Sequence, residues 1–99
     1  PEKKYTKWLD YDKIKNKLSV RTRRPGDFLV IDRKGNRKKL NRCMIDEKIP
    51  REKREEIPLL TCEGEVLWII GGRISEEYKI TQNTRKVLEV KYQGGCCNE

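Results

Sequence analysis

The stretch from Arg21 to Arg42 carries the residues whose types and spacing could do chemistry. It holds nine Lys or Arg side chains and two acidic ones, so its charge is +7 in a chain of formal net charge +8. Closely spaced cations bind phosphates, and a localised basic segment is typical of proteins that bind a nucleic-acid backbone. The cations that we expect to face phosphates are Arg21, Arg23, Arg24, Lys34, Arg37, Lys38, Lys39 and Arg42, with Arg51 and Arg73 as weaker candidates.

A second interpretation of the same cations is structural. Some of the arginines would then pair with Asp27, Asp32 or Asp46 and hold turns together instead of binding a ligand. The distribution of charge favours ligand binding for the stretch itself, because residues 1–45 have a net charge of +10 and residues 46–99 a net charge of −2. In the second half the two signs are interspersed, which is typical of a solvated surface.

The sequence lacks the residue types of most catalytic and metal sites. It contains no His, which excludes Ser-His and Cys-His nucleophiles, and its four Cys lack the spacing of a zinc site. No phosphate-binding loop motif surrounds Gly71 and Gly72. We therefore expect no catalytic residue, no metal and no cofactor in this chain. Cysteines without a disulfide framework favour the cytoplasm as its compartment.

The length of the chain and its hydrophobic pattern predict one compact domain of the α+β class, mostly β, which would position these cations. We expect about six short strands and one or two short helices near residues 39–56. Residues 1–93 would form the domain, and residues 94–99, with Cys96 and Cys97, a flexible tail. The longest apolar run, Val66 to Ile70, has five residues, too few to cross a membrane.

Two basic clusters, at residues 21–24 and 37–42, flank an apolar run that is predicted to form a strand over residues 28–31. The turn chemistry of Pro25-Gly26-Asp27 precedes this run, and a hairpin turn at residues 34–36 would bring Arg23 and Arg24 within reach of Arg37, Lys38 and Lys39. Just upstream, alternation over residues 18–23 predicts a strand with Val20 facing the core. The remaining strands are predicted at residues 5–9, 59–62, 66–70, 78–81 and 86–92, and the helices at residues 39–47 and 51–56. A turn at Glu63-Gly64-Glu65 predicts that residues 59–62 and 66–70 form a hairpin.

Several motifs, in this order and spacing, carry a resemblance to a known family. They are R-T-R-R-P-G-D (21–27), K-K-L (38–40), I-D-E-K-I-P-R-E (45–52), I-P-L-L (57–60) and W-I-I-G-G-R-I (68–74). Together they resemble the C-terminal domain of bacterial tRNA(Ile)-lysidine synthetase over about residues 8–90. One stretch departs from the family: after R-P-G-D the family usually continues with an R-F-type pair and a short loop, whereas this chain has Phe28-Leu29-Val30-Ile31-Asp32.

The resemblance implies a role for the chain. The family's enzyme is a ligase that uses ATP to join lysine to the wobble cytidine of the isoleucine tRNA with a CAU anticodon. Its chemistry belongs to an N-terminal catalytic domain with an S-G-G-x-D-S loop, which this sequence lacks. The C-terminal region, a compact and mostly β domain, is implied to hold the tRNA toward its acceptor stem. The alternative is a structural domain that braces the parent enzyme or a homodimer, with incidental RNA contact.

Overall fold

The computed structural model describes residues 4–93, which form seven strands and one α-helix. The strands are β1 (Thr6–Asp10), β2 (Ser19–Arg21), β3 (Phe28–Val30), β4 (Arg37–Lys39), β5 (Leu59–Cys62), β6 (Glu65–Ile69) and β7 (Val87–Lys91), and the helix is α1 (Leu40–Asp46). Short 3-10 turns lie at Tyr11–Lys13, Arg51–Lys53 and Glu76–Tyr78. The fold is α+β and mostly β, as the sequence predicts.

Five strands form one mixed sheet in the order β2-β5-β6-β3-β4. The β3–β6 pair is parallel, with Phe28 opposite Glu65, and the other pairs are antiparallel. The central position of β6 explains its continuous apolar run, because both of its faces are covered. The strands nearest the ends of the domain, β1 and β7, form a separate antiparallel pair.

Two buried clusters lie on opposite faces of the five-stranded sheet. Leu60 and Trp68 belong to the cluster under β1 and β7, and their neighbours Leu59 and Ile69 belong to the cluster under α1. Successive strand residues point to opposite faces, so β5 and β6 each supply both cores. Leu40, Cys43 and Met44 of α1 are fully buried or nearly so, which confirms the apolar spacing that predicted this helix.

The hairpin of β5 and β6 also agrees with its prediction. Its two-residue loop, Glu63-Gly64, has φ values of 56° and 95°. Positive φ at both positions is the geometry that suits the twist of a tight hairpin, and Gly adopts it without steric cost. The β3–β4 hairpin forms as expected, with Val30 opposite Arg37.

Three expectations are wrong in detail. Val20 was predicted to face the core but is 53% exposed, because β2 is a short edge strand that the β1–β7 layer does not cover. The strand predicted at residues 78–81 is reduced to a single β-bridge between Lys79 and Leu9, because residues 76–78 form a 3-10 turn. The Ser75 side chain caps this turn by accepting a hydrogen bond from the Glu77 N–H. The helix predicted over residues 51–56 is reduced to the 3-10 turn Arg51–Lys53.

The predicted tail, residues 94–99 with Cys96 and Cys97, lies outside the described residues. None of the helices between residues 4 and 93 has the length and apolarity that crossing a bilayer requires.

Candidate nucleic-acid interface

The candidate site is built on the turn that joins β2 to β3. Pro25 and Gly26 occupy its central positions, and the Asp27 N–H donates to the Arg24 carbonyl at 3.2 Å. Gly26 has φ +88°, which this type of turn requires at its third residue. The turn reverses the chain and leaves Arg23 and Arg24 beside the start of α1.

Asp27 holds the turn in place from the inside. Its carboxylate is buried and accepts hydrogen bonds from the Arg21 guanidinium at 2.9 and 3.0 Å and from the Arg24 N–H at 2.7 Å. Burial on its own would raise the pKa of Asp27, but these bonds outweigh it and hold the pKa below its ordinary value. The Asp27 carbonyl also accepts from the Leu40 N–H at 3.0 Å, which connects the turn to the first residue of α1.

The turn and the start of α1 enclose a surface depression of about 550 Å³, which we call the RPGD depression. Its basic side chains are Arg23, Arg24 and Lys39, from both clusters that the sequence singled out. Its other lining residues are Pro25, Gly26, Asp27, Leu40, Asn41 and Glu55. The fold thus brings one part of each cluster to a common surface, as the hairpin argument requires.

Arg23 is already engaged at the rim of the RPGD depression. Its Nε and Nη2 donate to one carboxylate oxygen of Glu55 at 3.1 and 2.6 Å, and its Nη1 donates to Asn41 Oδ1 at 2.9 Å. The ion pair is open to solvent, because the side chains of Arg23 and Glu55 are 26% and 69% exposed. Such pairs exchange readily with other charged partners.

Two predicted phosphate ligands are paired with carboxylates in the structure. The Arg21 guanidinium is bound to Asp27, and the Lys38 ammonium forms an ion pair with Asp46 of α1. The hydrogen bond from Lys38 holds the pKa of Asp46 below its ordinary value, with smaller contributions from Arg42 and Arg73. The Arg21–Asp27 pair is largely shielded from water and matches the structural interpretation of the cations, whereas the Lys38–Asp46 pair is open to solvent, with side chains 32% and 47% exposed.

The remaining predicted residues are spread around the domain. The exposed Arg37 guanidinium stacks over the Phe28 ring, 4.3 Å from its centroid, and does not line the RPGD depression. Lys34 lies in the β3–β4 turn, where its N–H donates to the Asp32 carboxylate at 2.9 Å. Arg42 is exposed on α1 and Arg51 on its 3-10 turn. Arg73 lines a separate groove of about 820 Å³, together with Lys7, Trp8 and Lys79.

The residues that sequence reasoning missed are the partners of the cations. Glu55 is 32 positions from Arg23, and Asn41 is 18 positions from it. No local pattern connects positions so far apart, because the contacts arise from tertiary packing.

The described residues show no alternative site for a metal. No group of three or more His, Cys, Asp or Glu side chains between residues 4 and 93 is placed to bind a metal ion. Cys43 lies on the buried face of α1, and burial raises the pKa of its thiol, which makes it a poor nucleophile and ligand.

Comparison with known proteins places these features in a family. Residues 18–90 match the family described as the TilS substrate C-terminal domain. The chain is 47% identical over 89 residues to the tRNA(Ile)-lysidine synthase of Caldanaerobacter subterraneus subsp. tengcongensis, a match that covers 89% of this chain and 19% of the relative. It is 41% identical over 96 residues to the tRNA(Ile)-lysidine synthase of Clostridium tetani, covering 96% and 20%.

A solved structure shares the fold. The crystal structure titled as that of the TILS C-terminal domain superposes with a TM-score of 0.73 at 31% sequence identity, covering 94% of this chain and 75% of that one. The chain spans about a fifth of the length of the curated relatives it matches.

Proposed function

Because the chain belongs to the TilS substrate C-terminal domain family, we propose that it is the tRNA-docking domain of a tRNA(Ile)-lysidine synthase and holds the tRNA through a basic surface. The observation that carries the proposal is the convergence of Arg23, Arg24 and Lys39 on the RPGD depression. The side chains of Arg24 and Lys39 are exposed and make no hydrogen bond or ion pair with any residue between positions 4 and 93. They are available to a ligand without prior displacement of a partner.

The physical role of this surface would be positioning. Guanidinium and ammonium groups bind phosphate oxygens of any sequence, so they fix where an RNA lies without identifying its bases. The Arg21–Asp27 pair would contribute indirectly, because it fixes the turn that presents Arg23 and Arg24. Lys34, Arg37, Arg42, Arg51 and Arg73 lie outside the RPGD depression, and further RNA contacts through them are part of the proposal.

The partners follow from the family. We propose that the RNA is the isoleucine tRNA with a CAU anticodon, bound on its acceptor-stem side. The ATP- and lysine-dependent chemistry would belong to a separate catalytic domain of the same protein, and no residue of this chain is assigned to it.

The test is tRNA binding by the chain over a range of salt concentrations. We expect the logarithm of the association constant to fall linearly with the logarithm of salt concentration, by about 0.7–0.9 for each phosphate contact. The double variant Arg24→Glu with Lys39→Glu removes two proposed contacts, so the slope should become shallower by about 1.5 and the affinity should fall at least about tenfold.

The matched control is Arg85→Glu with Lys86→Glu. It makes the same charge change in the exposed loop before β7, and β7 belongs to the layer on the sheet face opposite α1. An equal loss in both double variants would overturn the assignment of the surface. Absence of tRNA binding by the unmodified chain would favour the structural role.

A further inference from the structure

The ion pair at the rim of the RPGD depression adds a regulatory element to the proposed docking surface. Of its three basic side chains, only Arg23 has a carboxylate partner among residues 4–93. Glu55 binds it through one oxygen, which accepts from both Nε and Nη2. These two N–H groups form the edge of the guanidinium that grips a phosphate in a two-pronged contact.

We propose that Glu55 is a built-in competitor for the RNA, which occupies Arg23 in the free protein and is displaced by a backbone phosphate on binding. The inference rests on the docking function proposed above and assigns a regulatory residue to that site. A carboxylate and a phosphate offer the same arrangement of anionic oxygens to a guanidinium, so only one of them can hold this edge at a time.

Exposure makes the exchange feasible. The Glu55 side chain is 69% exposed and can swing into solvent, while the Nη1 bond to Asn41 keeps Arg23 beside the depression. An exposed ion pair contributes little to stability, about 0.2–1 kcal/mol. Converted at 1.4 kcal/mol per factor of ten, displacing Glu55 therefore weakens RNA binding about 1.4- to fivefold.

The experiment compares Glu55→Gln with Glu56→Gln in tRNA binding. Both remove one negative charge from adjacent exposed positions, but the Glu56 side chain makes no hydrogen bond or ion pair within the described residues. We expect Glu55→Gln to raise the affinity by about 1.4- to fivefold beyond Glu56→Gln, because no carboxylate then competes with the phosphate for Arg23. In an Arg23→Gln background the difference between the two variants should disappear.

The outcomes separate the two proposals. Equal effects of Glu55→Gln and Glu56→Gln, with tRNA binding intact, would overturn the competitor role and leave the docking function in place. A difference that persists in the Arg23→Gln background would also overturn it. Absence of tRNA binding by every variant, including the unmodified chain, would overturn the docking function and the competitor role with it.

Discussion

Arg21 and Asp27 form a two-pronged ion pair inside the β2–β3 connection, with Nη2 2.9 Å from Oδ1 and Nη1 3.0 Å from Oδ2. Both side chains are largely shielded from water, at 15% and 4% exposure. The same carboxylate accepts from the Arg24 N–H, so one buried group fixes the side chain of one arginine and the backbone of another. In the motif at residues 21–27, Arg21 supports the turn, while Arg23 and Arg24 lie at the surface.

Asp27→Asn should destabilise the domain. The variant keeps the shape of the side chain but leaves the largely shielded guanidinium of Arg21 without a counter-charge, which costs about 2–4 kcal/mol. We expect the Tm at neutral pH to fall by about 10 °C or more. Asp12→Asn, which removes the charge of an exposed carboxylate, should change the Tm by a much smaller amount. Equal Tm values for Asp27→Asn and the unmodified chain would contradict a supporting role for the pair.

The acid sensitivity of the domain should depend on the same carboxylate. The pKa of Asp27 in the folded state lies below the ordinary value of 3.8. Its ionised form therefore stabilises the fold above that value, and the contribution is lost as pH falls through the folded pKa. Urea unfolding between about pH 5 and pH 2 should show a shallower decline in stability for Asp27→Asn than for the unmodified chain. Parallel declines would show that another group controls the acid response.

Glu65→Gln should stabilise the domain at neutral pH. Burial raises the pKa of Glu65 above its ordinary 4.5, and its Oε2 is buried without a hydrogen-bond partner among the described residues. A raised carboxyl pKa means that ionisation costs more in the folded state, so the penalty is absent well below 4.5 and complete above the folded pKa. The Tyr78 hydroxyl, 3.1 Å from Oε1, can donate to the Gln carbonyl instead.

Thermal unfolding at two pH values checks the effect. We expect a higher Tm for Glu65→Gln than for the unmodified chain at pH 7, and little or no gain below about pH 4. Glu52→Gln, at an exposed position, is the matched control. A gain of equal size at both pH values would mean that the amide improves packing instead of removing a buried charge.

Gly26→Ala should weaken the turn through its backbone alone. A Cβ at this position would meet no atom within 4 Å, but φ is +88°, where a side chain is strained. The expected cost is about 1–2 kcal/mol, and Gly26→Asn should cost less because Asn tolerates positive φ better than Ala. Chemical denaturation of both variants gives their free energies of unfolding and so shows which substitution costs more. Equal costs, or a larger cost for Asn, would argue against backbone strain as the cause.

Sequence patterns predicted the elements well wherever the signal is local. The Glu63-Gly64 loop between apolar runs predicts the β5–β6 hairpin, and the spacing of Leu40, Cys43 and Met44 predicts α1. The β1–β7 pair joins Trp8 to Glu89, a separation of 81 residues, and no local pattern predicts it.

Errors occurred where tertiary contacts outweigh local preference. Residues 78–81 have the composition of a strand, but Tyr78 is buried and donates its hydroxyl to Glu65, and a 3-10 turn places it there. The candidate site, too, could be predicted from the sequence only in part. The positions of the cations follow from the sequence, whereas the assignment of Glu55 to Arg23 and Asp46 to Lys38 depends on distant packing.

The β1–β7 pair also determines how the domain would respond to mechanical load. Thr6 faces Lys91 at one end of the pair, and the Tyr92 N–H donates to the Tyr5 carbonyl at 2.9 Å. Tension that separates these two ends acts on the cross-strand bonds one after another, like the opening of a zipper. We expect the two outer strands to detach first, which would expose the buried cluster that contains Leu60 and Trp68.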